Sequence, residues 1–497
     1  MIARLVVWLC GATLCCVGCG KALQVNLVIS DPCDNQVLLG AKQVQVDVSA
    51  PGVPATSTTW SASSGRGALK NLPLAADATL AVTLRGESAA LAAGSVSPLD
   101  LSGRVEKDLV AVNVVVGFVD AFYQTTNTST GVTCTALGSA RREHTATLLF
   151  DGRILIVGGE KLERGVPTYW QTTELYDPKT GTFAAGPNMA GWTRKGHTAT
   201  RLRDGRVLVA AGVGVNNDSL TTWKAAQLFD ATSNSFGSLT LHMQEPRAYH
   251  TATLLDDGRV LIAGGTADDQ VLATTEIYDP SSNTFAAGPT LLQARAHHAA
   301  VKVGKSAVAI IGGQNATRAL VTVEFVTLNP DEVSLGPELL VARSYPAVEM
   351  VPGGSAIVVA GGFDKSVTSA EVGVGVASAE IIKIERDLAA SSLPCPSVRL
   401  AEGRGAAAIA AIDRGVVIMG GIAANGQVLS SAERITITDL PSCAVVVGPS
   451  AGSMYSSRAG AVVTPLLGGD SLVSGGFTQA STNATTLALV EVYVHPR

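Results

Sequence analysis

Apolar positions fall into two regimes along this chain. Between about residues 22 and 118, short alternating apolar stretches stand at 23–29, 44–48, 80–84 and 109–116. Turns rich in Pro, Gly and Ser separate them, as in Ala50-Pro51-Gly52-Val53-Pro54. Strands of this length and spacing predict a β-sandwich of about 100 residues. From about residue 130 the pattern changes and repeats itself. An Arg recurs at 141, 194, 247, 295, 343, 404 and 458, followed each time by a small doublet. The doublets are Gly158-Gly159, Ala211-Gly212, Gly264-Gly265, Gly312-Gly313, Gly361-Gly362, Gly420-Gly421 and Gly475-Gly476. From Arg to the second Gly the offset is 18, 18, 18, 18, 19, 17 and 18 residues. A spacing held that tightly is a structural repeat and not chance.

Each unit has one grammar. His144-Thr145-Ala146-Thr147-Leu148-Leu149 predicts a strand, and Asp151-Gly152-Arg153 a hairpin turn. Residues 154–157 predict a second strand that runs into the doublet. Glu174-Leu175-Tyr176-Asp177 predicts a third, stopped by Pro178, which lacks a donor. Thr182-Phe183 starts a fourth, ending at Pro187. The second unit repeats this with His197 and Asp204-Gly205-Arg206, the third with His250 and Asp257-Gly258-Arg259. Later units drift: Pro346, Ala407 and Ala461 replace the His. Together the Arg-x-x-His start, the Asp-Gly hairpin and the Gly-Gly doublet resemble the kelch repeat over residues 130–497. That resemblance implies four-stranded blades in a β-propeller. Seven units imply seven blades. The final stretch, Leu489-Val490-Glu491-Val492-Tyr493, reads as a third strand, so the seventh blade lacks a fourth. The stretch 131–137 holds the matching place before Arg141 and is expected to supply it.

The expected fold is therefore all-β: a seven-bladed kelch-like propeller over 119–497, preceded by a sandwich over 19–118. The sandwich resembles the immunoglobulin-like spacers of exported bacterial proteins. Residues 1–18 read as a signal peptide, with Arg4 before an apolar run too short to span a bilayer. Cys16-Val17-Gly18-Cys19 resembles a bacterial lipobox, which implies Cys19 as the lipid attachment site. With Gly20 following, the resemblance implies an anchor at the outer membrane or cell surface. Of eight Cys, four remain in the mature body: Cys33, Cys134, Cys395 and Cys443. Their three possible pairings stay open, and none forms a CxxC.

Composition narrows the function classes. Lys+Arg number 36 against Asp+Glu 41, a net charge of −5, which lacks the basic excess of a nucleic-acid binder. His144, His197, His250 and His298 stand three residues after a repeated Arg, and so read as structural hydrogen-bonding groups, not metal ligands. The Arg and Gly positions of the repeat (Arg141, Gly158, Gly159, Arg194, Gly212, Arg247, Gly264, Gly265, Arg295, Gly312, Gly313) read as structural in the same way. No nucleophile elbow, phosphate loop or paired-carboxylate motif stands out. The surviving cluster is aromatic. Tyr169, Trp170, Trp192 and Trp223 fall in loops of one propeller face, within two adjacent blades. They are the expected ligand-binding candidates, suited to a protein or glycan partner. The expectation is a monomeric, non-catalytic binding or scaffolding protein with no cofactor, no metal and no nucleic acid. The competing reading is a kelch-fold enzyme, such as a copper radical oxidase or a sugar epimerase.

Overall fold

The computed structural model describes residues 4–9, 24–30, 41–61, 66–67, 77–85, 90–99, 109–115, 117–118 and 121–124. It also describes 136–495, apart from breaks at 190, 217–218, 239–240, 269, 306, 368–372, 385–394, 451, 468 and 480–484. Cys19, Cys33 and Cys134 lie outside the described residues, as does most of the expected signal segment. The described residues form strands and turns without a helix, in agreement with the all-β expectation.

Among the described residues, seven sheets of four or five strands follow one another along 145–494, with three two-stranded hairpins inserted. Blade one runs Thr145–Leu148, Ile154–Val157, Thr173–Asp177, Thr182–Ala185, each strand antiparallel to the next. Blades three to six repeat this four-strand order, and blade two adds a short fifth strand, Leu241–His242, beside Ala225–Asp230. The first strands of successive blades pack side by side, and that of the last, Val462–Pro465, packs against Thr145–Leu148. The sheets therefore close into a ring.

The second strands show why the apolar runs are continuous there and not alternating. Ile154, Leu155, Ile156 and Val157 are all buried. Ile154 and Ile156 enter a cluster with Leu472, Val490 and Val492 of the last blade. Leu155 and Val157 enter one with Val207, Val209 and Phe229 of the next blade. A strand flanked by a blade on each face needs apolar residues on both, so period 2 disappears. The doublet has a packing reason too. Gly159 has φ +91°, and a Cβ there would stand 2.7 Å from the Arg142 carbonyl oxygen.

The last blade departs from the sequence expectation. The strand paired with Val490–Val494 is Ala121–Gln124, from Ala121 opposite Val494 to Gln124 opposite Glu491. Of the stretch 131–137 the structure describes Ala136 and Leu137, and Leu137 donates its N–H to Ala488 O (3.1 Å). Met189, Met243, Leu291, Leu339, Leu400 and Met454 make the equivalent bond in the other blades. Leu137 thus belongs to the connection into blade one, after the closing strand.

Before the ring, Gln43–Ala50 lies between Val53–Ser61 and Ala78–Arg85, and the sheet continues through Ala90–Leu99 to Gly117–Phe118. Val44, Val46, Val48, Leu80, Val82 and Leu84 form its buried face. A second sheet holds Arg4–Leu9, Gln24–Ser30, Arg66–Gly67 and Leu109–Val115. Ala93 joins the seam between blades seven and one. Cys395, just before Val398–Arg399, and Cys443, just before Ala444–Pro449, form a disulfide between blades five and six.

Candidate functional site

The seven repeated Arg are buried to 1 % exposure or less. Each sends one guanidinium nitrogen to the carbonyl of the first doublet residue in its own blade, at 2.7–3.2 Å. Six also pair with a third-strand carboxylate: Glu174, Glu276, Glu324, Glu380, Glu433 and Glu491. The guanidinium groups therefore act within their own blades and do not hold the loops of neighbouring ones. The neighbours are instead joined by the backbone, where the second Gly donates to the next Arg carbonyl, as Gly159 does to Arg194 (2.8 Å).

The four repeated His link blades through side chains. His197 meets Thr145 (3.0 Å), His250 meets Thr198 (3.0 Å), His298 meets Thr251 (2.9 Å) and His144 meets Ser474 (2.9 Å). Each reaches the preceding blade. Burial first, and the neighbouring Arg second, push His144 and His250 down to about 3, and His197 and His298 well below the ordinary value. Between about pH 3 and 6.5 the unfolded chain therefore binds protons that the folded chain refuses. Stability is expected to rise with pH through that window and to be fully present above it. Chemical denaturation at pH 5, 6 and 7 checks this, in a range where carboxylates contribute little. A flat midpoint there would exclude it, and His250→Gln should flatten the slope.

Two of the aromatic candidates occupy a repeat position. Trp170 N–H donates to Gly159 O and Trp223 N–H to Gly212 O (2.9 and 2.7 Å). Leu272, Leu320, Val376, Leu429 and Leu487 make the same bond in the other blades. The indole N–H groups reach Ala140 O and Thr193 O, both at 3.1 Å. Trp223 is only 6 % exposed, and Trp192 packs edge-on against it at 4.0 Å. Trp170, Trp192 and Tyr169 are half-buried.

A site the sequence reading missed lies two residues after each Arg: Glu143, Gly196, Tyr249, His297, Tyr345, Ala406 and Gly460. All seven have positive φ, from 49° to 60°. They lead into the innermost strands and so surround the propeller axis. Backbone bonds join them: Gly196 N–H to Glu143 O, Tyr249 N–H to Gly196 O, His297 N–H to Tyr249 O, Tyr345 N–H to His297 O and Gly460 N–H to Ala406 O (2.7–3.3 Å). Glycine adopts this conformation freely, whereas a bulky residue pays about 1–3 kcal/mol. Gly196 also makes room, since a Cβ there would stand 2.7 Å from the Tyr249 ring.

The side chains on this ring converge. His297 stacks between Tyr345 (4.0 Å, 21°) and Tyr249 (4.4 Å, 39°). His297 stands outside the repeated His register, and the fold brings it together with both tyrosines. Tyr345 Oη lies 3.1 Å from His297 Nε2, and Tyr249 Oη donates to Glu143 (3.1 Å). Lys195 bridges Glu143 and Glu160, each at 3.2 Å, and Arg142 pairs with Glu160 at 2.5 Å. The Lys195 ammonium also lies 5.7 Å from the Tyr169 ring. Burial pushes the Glu143 carboxyl up, but Lys195 and Arg142 outweigh it and hold it below the ordinary range. For Lys195 burial acts downward, and Glu143 with Glu160 outweighs it and raises the ammonium. Burial lowers His297 to about 4, so its imidazole is neutral at pH 7. The result is a cluster of two cations, two carboxylates and a neutral aromatic stack around the propeller axis.

The comparisons with known proteins agree with this fold. The Kelch motif family model matches residues 246–292, which span blade three. No curated protein matches. Among solved structures, the chain is similar to a fungal alcohol oxidase in complex with copper. Identity is 15 %, over 72 % of this chain and 74 % of that one, with a TM-score of 0.55. It is also similar to YjhT, at 14 % identity over 63 % of this chain and 99 % of that one, with a TM-score of 0.48. The fold is a kelch-type β-propeller. The expectation of a chain without catalytic activity does not stand, because a solved protein of this fold is an oxidase. The oxidase's copper is not carried over. The ring offers one imidazole, already bonded to Tyr345, and a carboxylate already bonded to Lys195 and Tyr249. Among the described residues no group of three His, Cys, Asp or Glu side chains could hold a metal ion.

Proposed function

We propose that this chain is an exported propeller that binds a neutral glycan at its axial cluster. The observation that carries the reading is the strained column of Glu143, Tyr249, His297 and Tyr345, at positions that blades two and seven fill with glycine. Side chains held at such a cost point to a use beyond packing. The two cations and two carboxylates cancel, which suits an uncharged partner rich in hydroxyls. Hydroxyls can both donate to the carboxylates and accept from Lys195 and Arg142, while aromatic faces contact the sugar's C–H surface. Tyr169, near the Lys195 ammonium, extends this cluster toward blade one, and Trp170 and the paired Trp192 and Trp223 are the further candidate contacts in blades one and two. The N-terminal region serves as the spacer and Cys19 as the lipid anchor, placing a monomer at the outer membrane. Cys19→Ala should release the protein from membranes.

A glycan array with the full chain, followed by calorimetry, tests the binding. Neutral oligosaccharides should bind. Tyr249→Ala and Glu143→Gln should each weaken them at least tenfold, while Tyr249→Phe should weaken them less. An empty array, or binding indifferent to both substitutions, overturns the reading.

A further inference from the structure

Blade two breaks the carboxylate rule of the ring. Its third strand carries Gln227 opposite Val209, in the register where Glu174 stands opposite Ile156 and Glu276 opposite Ile262. Gln227 and Arg194 are both 0 % exposed. Arg194 Nη1 donates to Ala211 O and Ala225 O (3.0 and 3.3 Å), but Nε and Nη2 have no partner. In the six other blades the corresponding Nη2 meets a glutamate. The Gln227 amide turns away and donates to Gly237 O at 3.4 Å, leaving its Oε1 without a partner.

The glutamates also accept backbone N–H groups from the connection just before the Arg. In blade one these are Gly138 and Ser139, bonded to Glu174 at 2.6 and 3.3 Å. Leu292 and Leu340 donate in the same way to Glu324 and Glu380. In blade two the connection is one residue longer, with Met189 five residues before Arg194 where its equivalents stand four before theirs, and no backbone N–H of its described residues reaches Gln227. The Arg194 guanidinium edge thus stands in a carboxylate site without the carboxylate. A buried guanidinium remains charged at neutral pH and is costly to leave unpaired.

We propose that blade two binds a small monovalent anion at the unpartnered Nε–Nη2 edge of Arg194. The anion takes the place that a glutamate carboxylate holds in each other blade. It is a structural ligand, separate from the axial cluster.

Thermal melting of the full chain at constant ionic strength tests this, with chloride or bromide replacing gluconate, which is too large for the space of a carboxylate. The wild type should gain about 2–4 °C or more, saturating as halide rises. Gln227→Glu supplies the carboxylate and should show no halide response. No saturable gain in the wild type, or an equal gain in Gln227→Glu, overturns the proposal. Should that variant fail to fold, wild-type crystals soaked in bromide decide: anomalous density beside Arg194 supports the site and its absence sinks it.

Discussion

Glu324→Gln is expected to destabilise the propeller by about 3–5 kcal/mol, the cost of leaving one partner of a buried ion pair uncompensated. Arg295 and Glu324 are each 0 % exposed. The glutamate accepts from Arg295 and from the Leu292 and Gln293 amides (2.7 and 3.1 Å). Arg295 meanwhile holds Gly312 O, Thr322 O and Thr322 Oγ1 at 2.9–3.1 Å. The substitution removes a charge while keeping the shape, and blade two already carries Gln at this register. A clear loss in denaturant midpoint with an unchanged slope should follow. A loss under about 1 kcal/mol would mean that the carbonyls alone satisfy the guanidinium. Gln227 would then need no substitute for a carboxylate.

The ring was legible because its constraints fall on residue type. A buried guanidinium must be Arg, and a doublet pressed against a neighbouring carbonyl must be Gly or nearly so, hence the steady spacing from Arg141 to Gly476. The axial column was illegible for the opposite reason. Glu143, Gly196, Tyr249, His297, Tyr345, Ala406 and Gly460 share a backbone conformation and not a residue type. Its one signal in the sequence was Gly at two of the seven positions, where a left-handed residue would be expected to be Gly throughout. The aromatic loops misled in part. Trp170 and Trp223 look singular until aligned with Leu272, Leu320 and Leu429, which make the same backbone bond. The Cys395–Cys443 disulfide could not be chosen from three pairings, since only the ring brings these segments of blades five and six side by side.

Closure was legible as a gap and misread as to its filler. The unpaired third strand at the C-terminal end announced that another segment must complete the blade. Its partner was sought at the usual distance before Arg141, whereas Ala121–Gln124 lies further upstream. Two truncations separate these readings. A chain of residues 120–497 keeps the closing strand and should melt cooperatively, close to full length. A chain of residues 126–497 retains 131–137 but loses the four backbone pairings to Val490–Val494. That strand would become a free edge, open to pairing with other molecules. Val490, Val492 and Val494, all fully buried in the seam with blade one, would lose their outer flank. At about 1.5–3 kcal/mol for each fully buried valine side chain, the loss is on the order of 5 kcal/mol. That is a large share of a typical domain's 5–15 kcal/mol. The shorter chain should therefore aggregate or unfold over a broad range, seen by light scattering alongside circular dichroism. Equal melting of the two would assign closure to a segment after residue 125. A ring held by its first and last strands must come apart at that seam first, because every other blade is continuous in sequence.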